Sequence, residues 1–346
     1  MRVIEGEAAL GLLRKNRAFR WNFHRAESPP FHSRTRKAVL LPQVSKGFSI
    51  KVHDRIFTMG SCFARHVEAN LERFGFKFAT RNPQFFVNPS ECSSASGFFN
   101  KFTTPSMLNE VLWASGEKTF PESGYFSDDE GRFYDGQMPA SFASLERVKA
   151  VRESVRTVTR DIFSSDIAIL TLGLVEAWHD NETNTYLNVA PSGGVIRRHP
   201  GRFDLHILDY SSSLKSLNTI YEIVQATNPH LRFVVTVSPV PLSATFTGKD
   251  IATANCYSKS VLRAVAEDFV SGKEGVDYFP SYEAVTESTP LGAWMEDAVH
   301  VRPELVSCVI RYFLQNYLSA EEAGAIGLDD ALADFHRKFP EWSSAQ

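Results

Sequence analysis

Three short apolar runs restrict the folds that this chain can adopt. They occupy residues 55–59, 166–172 and 232–239, and the last two are rich in β-branched side chains. Each run is short and apolar on both faces, which is typical of strands buried within a parallel sheet. A further run at residues 276–283 is a candidate fourth strand.

Helical patterns separate these runs. Apolar residues recur at three- and four-residue spacing within residues 145–162, 262–269 and 305–317. This period places them on one face of a helix. Because strands alternate with helices, the sequence predicts a doubly wound α/β fold with a mostly parallel sheet.

Two segments interrupt this alternation. Residues 81–142 are rich in Phe, Ser, Asn, Gly and Pro, and residues 179–203 are polar and contain many turn-forming residues. We interpret both as insertions in one domain of residues 51–320, the first insertion forming a cap over the sheet. Residues 1–50 are then an N-terminal extension and residues 321–346 a C-terminal tail. In open α/β sheets, ligands bind beyond the carboxyl ends of strands, so both insertions are candidate walls of a substrate site.

The formal net charge of −3 conceals a basic N-terminus. Residues 1–51 contain eleven Lys or Arg against three Asp or Glu, together with Phe19, Trp21 and Phe23. Such a segment could bind RNA, an anionic membrane or a polyanionic glycan. Alternatively, it is an extended arm whose aromatic side chains pack on the acidic remainder of the chain. We favour the arm, because the segment contains no nucleic-acid-binding motif.

Several classes of protein are disfavoured by what the sequence lacks. It has no apolar run of about 18 residues, which a membrane-spanning helix needs, and its N-terminus has no apolar core long enough for a signal peptide. The cysteines lie far apart without a C-x-x-C pair, which disfavours a disulfide framework and a structural zinc site. They are Cys62, Cys92, Cys256 and Cys308. We therefore expect a cytoplasmic protein that needs no metal ion or organic cofactor.

Residues 60–64 read GSCFA and place Ser61 directly after the first predicted strand, at the start of a helical pattern. Backbone N–H groups at a helix N-terminus lack intrahelical partners, and the helix dipole favours negative charge there. Ser61 could therefore attack a carbonyl carbon while its own N–H holds the oxyanion, and Gly60 would permit the tight turn. The alternative is that Ser61 only caps the helix. The GSCFA stretch by itself favours the helix-capping role of Ser61.

A candidate base lies near the other end of the chain. In the sequence WMEDAVHVRPE, two residues separate Asp297 from His300, so a single turn can bring the carboxylate to the imidazole. Asp297 would orient the ring, and His300 would remove the proton of Ser61. Taken alone, the pair indicates no more than a surface loop.

Together these features resemble the SGNH (GDSL-type) hydrolases. The GSCFA pentapeptide is more specifically similar to the signature of the GSCFA family, which is placed within that superfamily. The similarity extends over roughly residues 50–318 and includes four further segments, NPQFFVNPS (82–90), TLGLVEAW (171–178), VSPVPL (237–242) and YSKSVLR (257–263). The resemblance implies a three-layer α/β/α sandwich of flavodoxin-like type, with Ser61 as nucleophile, His300 as base and Asp297 as the residue that orients it.

One group that the resemblance leads us to expect is absent. SGNH enzymes usually present an Asn two residues after a Gly at the end of a central strand, where its amide helps to hold the oxyanion. Here Gly173 is followed by Leu174 and Val175. The Gly173 N–H could still donate, and Asn82 or Asn88 from the first insertion could replace the amide. Loss of one such donor lowers the rate by on the order of 100- to 1000-fold.

Glu176 and Trp178 each have two interpretations. Glu176 either binds sugar hydroxyls or a cation, or accepts hydrogen bonds from backbone N–H groups. Trp178 either stacks on a sugar ring or belongs to the core.

The function implied by the resemblance is that of a serine esterase. It would remove an O-acyl group such as O-acetyl from a carbohydrate or polysaccharide precursor through an acyl-enzyme. Two alternatives stay open. One is an O-acyltransferase that uses the same triad on a glycan, and the other is a non-catalytic glycan-binding or scaffold protein.

Overall fold

The computed structural model describes residues 3–16, 18 and 38–339. Within these residues the strands are β1 (Ile56–Gly60), β2 (Tyr125–Ser127), β3 (Phe133–Asp135), β4 (Ile167–Leu172), β5 (Glu176–Asp180), β6 (Thr185–Tyr186), β7 (Phe203–Ile207), β8 (Arg232–Val237) and β9 (Val276–Tyr278). The helices are α1 (Gly6–Lys15), α2 (Cys62–Leu71), α3 (Thr104–Ser115), α4 (Leu145–Thr159), α5 (Gly193–Arg198), α6 (Tyr210–Thr227), α7 (Ile251–Val270), α8 (Ser281–Thr286), α9 (Pro290–Ala293), α10 (Pro303–Tyr317), α11 (Ala320–Ala323) and α12 (Leu328–Lys338).

The central sheet contains four parallel strands in the order β1-β4-β8-β9. Gly60 pairs with Thr171, and Thr171 pairs with Thr236. This register brings the carboxyl ends of β1, β4 and β8 to the same edge of the sheet. The residues that directly follow these three strands are therefore neighbours in space.

Helices cover both faces of the central sheet. In β4, Ile167 and Ile169 pack in a cluster with side chains of α2 and α10. The alternate residues Ala168 and Leu170 pack in a second cluster with side chains of α3, α6 and α7. Successive side chains of a strand point to opposite faces, so β4 is buried on both faces. The prediction of an α/β fold with a mostly parallel sheet is confirmed.

Strand β1 forms one edge of this sheet, so only one of its sides pairs with another strand. Its other side is bonded by non-strand groups. The Gly60 carbonyl accepts from the Lys101 N–H at 2.8 Å, and the Thr58 carbonyl accepts from Arg65 Nη2 at 3.4 Å. The segment around Lys101 therefore provides part of the hydrogen bonding on the side of β1 that has no neighbouring strand.

The structure corrects the predicted elements in three places. The fourth strand ends at Tyr278 instead of continuing to residue 283, and α8 begins at Ser281. Helix α3 lies within the segment 81–142, yet its Met107 packs on the sheet itself, so this part of the segment is a layer of the core and not a cap. Helix α6 was not predicted, although Asp209 and Ser212 form a capping box at its start.

The remaining parts of the predicted insertions form small antiparallel units. Strands β2 and β3 make a hairpin, and β5, β6 and β7 make a three-stranded sheet. A fully buried ion cluster holds the hairpin to the helices beside it. Glu110 of α3 pairs with Lys101 and with Arg152 of α4, and Arg152 lies 3.8 Å from Asp135 of β3.

The chain termini contribute to the core where they are described. Ala38 and Ile50 pack in the cluster that contains α2 and α10. Phe335 of α12 is fully buried in the same cluster, so the predicted C-terminal tail includes a packed helix. The aromatic residues Phe19, Trp21 and Phe23 lie outside the described residues. No helix in the described part of the chain combines the length and apolar character needed to cross a membrane.

We predict that Gly60→Ala destabilises the protein. A Cβ at residue 60 would lie 2.6 Å from the Thr171 Cβ and 2.7 Å from the Thr171 carbonyl oxygen, and Thr171 belongs to the neighbouring strand. Relief of such a clash costs about 1–3 kcal/mol. Chemical denaturation should therefore give a lower free energy of unfolding. The control is Gly11→Ala in α1, where a Cβ meets no atom within 4 Å; equal stabilities of the two variants would contradict the prediction.

Candidate active site

Ser61 links strand β1 to helix α2. It is the N-cap of α2 with φ −70° and ψ −171°, and its Oγ accepts a hydrogen bond from the Phe63 N–H at 3.4 Å. The capping role that the short stretch favours is therefore present. The side chain is also buried, and its Oγ lies 3.1 Å from the Oγ of Ser238.

Ser238 directly follows β8 and is a site residue that sequence reasoning missed. Its N–H donates to the Leu172 carbonyl at 2.8 Å, which fixes its backbone against β4. Its side chain is buried and shares a hydrogen bond with Ser61. The available signal was its position near the carboxyl end of the predicted strand of residues 232–239, since Ser61 also lies at the carboxyl end of a predicted strand.

Asp297 and His300 form a pair in the loop between α9 and α10. The imidazole Nδ1 lies 2.6 Å from Asp297 Oδ2. Asp297 Oδ1 accepts hydrogen bonds from the backbone N–H groups of Val299 and His300, each at 2.9 Å. The bond from the His300 ring, followed by these two backbone bonds, lowers the pKa of Asp297 to about 2.

This pairing determines which nitrogen of His300 is available. An ionised carboxylate only accepts hydrogen bonds, so Nδ1 carries the proton and Nε2 carries the lone pair. Among the described residues, Nε2 has no hydrogen-bond partner. Burial, and to a smaller extent electrostatic interaction with His300, lowers the pKa of His66 of α2.

Ser61 and His300 lie on the wall of one cavity of about 460 Å³. In the described residues, no hydrogen bond joins their side chains, since Ser61 Oγ is bonded to Ser238 and to the Phe63 N–H. Catalytic hydrogen bonds are often absent or long in proteins without bound substrate. The structure thus places Ser61 and His300 at one cavity, with the contact between Asp297 and His300 formed and the contact between Ser61 and His300 open.

The cavity wall combines the loops after β1, β4 and β8 with segments from both predicted insertions. Its residues are Ser61, Cys62, Phe102, Gly173, Leu174, Glu176, Trp178, Leu187, Asn188, Val189, Ala190, Ser238, Val240, Pro241, Leu242, Ser243, Ala244, Phe246, Val299 and His300. A glycine is required at residue 173, because a Cβ there would lie 2.6 Å from the Phe102 carbonyl oxygen.

Glu176 and Trp178, which each have two interpretations from the sequence, both make contacts within the protein. Glu176 accepts hydrogen bonds from the Thr245 hydroxyl at 2.5 Å and from the Phe246 N–H at 2.8 Å. It therefore holds the loop that borders the cavity. Trp178 is half-buried and packs edge-on against Phe246 with ring centroids 5.3 Å apart. Its buried Nε1 has no hydrogen-bond partner in the described part of the chain.

The structure does not bring Asn82 or Asn88 to this cavity. Asn82 caps a short turn by accepting from the Gln84 N–H at 3.2 Å, and it borders a different cavity together with Arg55, at the amino end of β1. Asn88 is exposed, and its N–H donates to Glu91. The expectation that one of them replaces the absent amide is corrected, because Asn82 lies at the amino end of β1 and neither residue lines the cavity of Ser61.

Asn188 is the amide that does line the cavity, and its hydrogen bonds are all used. Its Oδ1 accepts from the Phe102 N–H at 2.7 Å and from the Ser106 hydroxyl at 2.9 Å. Its Nδ2 donates to the carbonyls of Asn100 at 2.8 Å and Gln137 at 3.2 Å. Asn188 therefore positions the segment around Phe102 and has no donor left for a substrate.

Lys259 of α7 is a buried lysine behind the cavity. Its Nζ donates to the carbonyls of Gly173 and Val240, each at 2.7 Å. Burial lowers its pKa to about 7. Among the described residues it has no carboxylate partner, and a neutral amine has two N–H groups, one for each carbonyl. Lys259 thus ties the loop after β4 to the loop after β8.

The sequence does indicate that Lys259 belongs to the buried face of a helix. It lies three residues before Leu262 and seven before Ala266, both fully buried. A lysine on the apolar face of a helix is rarely buried without a specific partner. Its position in that pattern predicts a polar group to which the amine binds.

The fold and the site define an α/β protein with a buried serine at a strand-to-helix turn and an Asp–His pair at the same cavity. Residues 55–313 match the profile of the GSCFA family. The chain belongs to the GSCFA family. Comparison with curated proteins and with solved structures found no significant match. In the described residues, no group of His, Cys, Asp and Glu side chains is arranged to hold a metal ion.

We predict that Lys259 makes stability increase with pH above neutrality. Between about pH 7 and pH 10 the unfolded chain binds a proton on this lysine that the native amine has lost, so the free energy of unfolding should rise by up to about 1.4 kcal/mol per pH unit. Lys259→Met should lack this rise. Denaturant unfolding at a series of pH values measures the difference, with the exposed Lys118→Met as control. Identical slopes of the free energy of unfolding against pH for wild type and Lys259→Met would contradict this prediction.

Proposed function

We propose that the protein is a serine hydrolase of SGNH type that cleaves a carboxylic ester. The observation that carries this proposal is the convergence of Ser61, at the N-terminus of α2, with the Asp297–His300 pair at one cavity. These groups come from the two ends of the matched region. A role confined to capping or to a surface loop would not require them to meet.

In the proposed mechanism, substrate binding turns the Ser61 side chain from Ser238 towards His300. Nε2 of His300 takes the hydroxyl proton while Oγ attacks the ester carbonyl carbon. The Asp297 carboxylate stabilises the resulting imidazolium. His300 then returns the proton to the departing alcohol, which leaves an acyl group on Ser61. A water molecule, deprotonated by His300, releases the acid and restores the serine.

The oxyanion needs donors at the same place. The first N–H groups of α2 lack intrahelical partners, so those at Ser61 and Cys62 can donate to it, and the Gly173 N–H remains a further candidate. We assign the role of the missing amide to the Ser238 hydroxyl. It is buried, its backbone is fixed to Leu172, and it already lies 3.1 Å from the attacking oxygen.

One prediction from this mechanism concerns the nucleophile and the residue that orients the base. A fluorophosphonate should label Ser61, and Ser61→Ala should abolish both labelling and ester hydrolysis. Asp297→Asn should lower kcat by up to about 10⁴-fold, because the wrong imidazole tautomer is then favoured. Mass spectrometry of the labelled peptide and initial rates measure these effects. The exposed Ser260→Ala is the control. Absence of labelling, with no hydrolysis of any ester, would favour the glycan-binding or scaffold alternative.

A second prediction concerns Ser238. Ser238→Ala should lower kcat by about 10²- to 10³-fold with little change in KM, because a donor to the oxyanion stabilises the transition state more than the bound ester. Ser243→Ala is the matched control, since its hydroxyl lies on the same cavity wall but has no hydrogen bond to Ser61 within the described residues. Equal kcat values for the two variants would remove Ser238 from the mechanism.

A further inference from the structure

The cavity beside Ser61 is lined mainly by apolar side chains. The apolar side chains of the lining include Phe102, Leu174, Trp178, Val189, Val240 and Phe246. None of its lining residues in the described part of the chain is Lys or Arg. The wall therefore offers contact to hydrocarbon and no cation for a phosphate or a carboxylate.

Two polar side chains on this wall, Glu176 and Asn188, have their hydrogen bonds taken up by the protein itself. Both carboxylate oxygens of Glu176 accept hydrogen bonds from the loop of Thr245 and Phe246. The Asn188 amide is bonded through its oxygen and through both of its N–H groups. A sugar with several hydroxyls would lose its bonds to water inside the cavity and find few replacements, and unpaired buried hydroxyls are costly.

The size of the cavity exceeds what an acetyl group requires. A water molecule occupies about 30 Å³ in the liquid, and a methyl group is of comparable size. The cavity measures about 460 Å³. An acetyl ester bound at Ser61 would leave most of this volume without contacts, whereas a longer chain would exchange water for apolar surface.

The exposure of His300 indicates where the alcohol part of the ester lies. About half of the His300 side chain is exposed, at 52%, so it stands at the mouth of the cavity. Because His300 must protonate the leaving alcohol, that oxygen has to lie on its side, towards solvent. The acyl chain is then the part of the substrate that enters the cavity.

We propose that the preferred substrate carries an apolar acyl chain longer than acetyl, which packs against Leu174, Val189 and Phe246 with its carbonyl at Ser61. This inference rests on the proposed ester hydrolysis and specifies its substrate class. It replaces the expectation of an acetyl group. The alcohol part stays outside the cavity, so a carbohydrate is compatible with it but is not what the cavity recognises.

The test is a series of p-nitrophenyl esters from acetyl to decanoyl. Each methylene buried in the cavity should raise kcat/KM about three- to fourfold, and the values should level off once the added carbons extend beyond the cavity. Val189→Trp narrows the cavity and should abolish the gain in kcat/KM beyond butanoyl, measured as the ratio of the hexanoyl to the acetyl value. Val189→Ala, at the same position, should keep the preference for long chains and is the matched control.

The outcomes separate this inference from the proposed function. Labelling of Ser61 by a fluorophosphonate together with a preference for acetyl over hexanoyl would overturn the acyl-chain inference and leave the hydrolase standing. A long-chain preference that Val189→Trp does not alter would also overturn it, since the chain would then bind elsewhere. No labelling and no hydrolysis across the series would overturn both proposals.

Discussion

Parallel pairing of β1, β4 and β8 in one register is the constraint on which the site depends. It places the residues after these strands side by side, so that Ser61, Gly173 and Ser238 meet although they are far apart in the sequence. The close approach of the strands also explains why residue 60 is a glycine, because any side chain there would collide with Thr171. The geometry of the site is thus a property of the sheet and not of any one loop.

Three polar side chains hold the loops beyond the sheet. Lys259 joins the loops after β4 and β8, Asn188 holds the segment around Phe102, and Glu176 holds the loop of Phe246. All three are polar side chains whose bonds go mostly to the backbone. A polar group used in this way stabilises one loop conformation, and it leaves the inner surface of the cavity to the apolar residues between the loops.

Much of the fold was predictable, because β-branched runs buried on both faces identify strands by themselves. Helix α3 was not, since it lies in a segment whose Phe, Ser and Pro content indicates irregular structure, and only its capping box marks its start. Of the site, Ser61, Asp297 and His300 could be selected from local motifs. Ser238 and Lys259 have weaker signals, the end of a strand and the apolar face of a helix, and their roles follow only from strand register and from a neighbouring loop. The amides of Asn82 and Asn88 do not line the cavity, and local sequence does not reveal beside which end of β1 Asn82 lies.

The position of β1 at the edge of the sheet has a consequence for attempts to define a smaller protein. The free side of this strand is completed by Lys101 and Arg65, and Lys101 belongs to a segment that resembles a dispensable insertion. A version trimmed to the alternating strands and helices would present open backbone groups immediately beside the nucleophile. Exposed strand edges recruit other chains, so such a trimmed protein would tend to self-associate through the very strand that carries its serine.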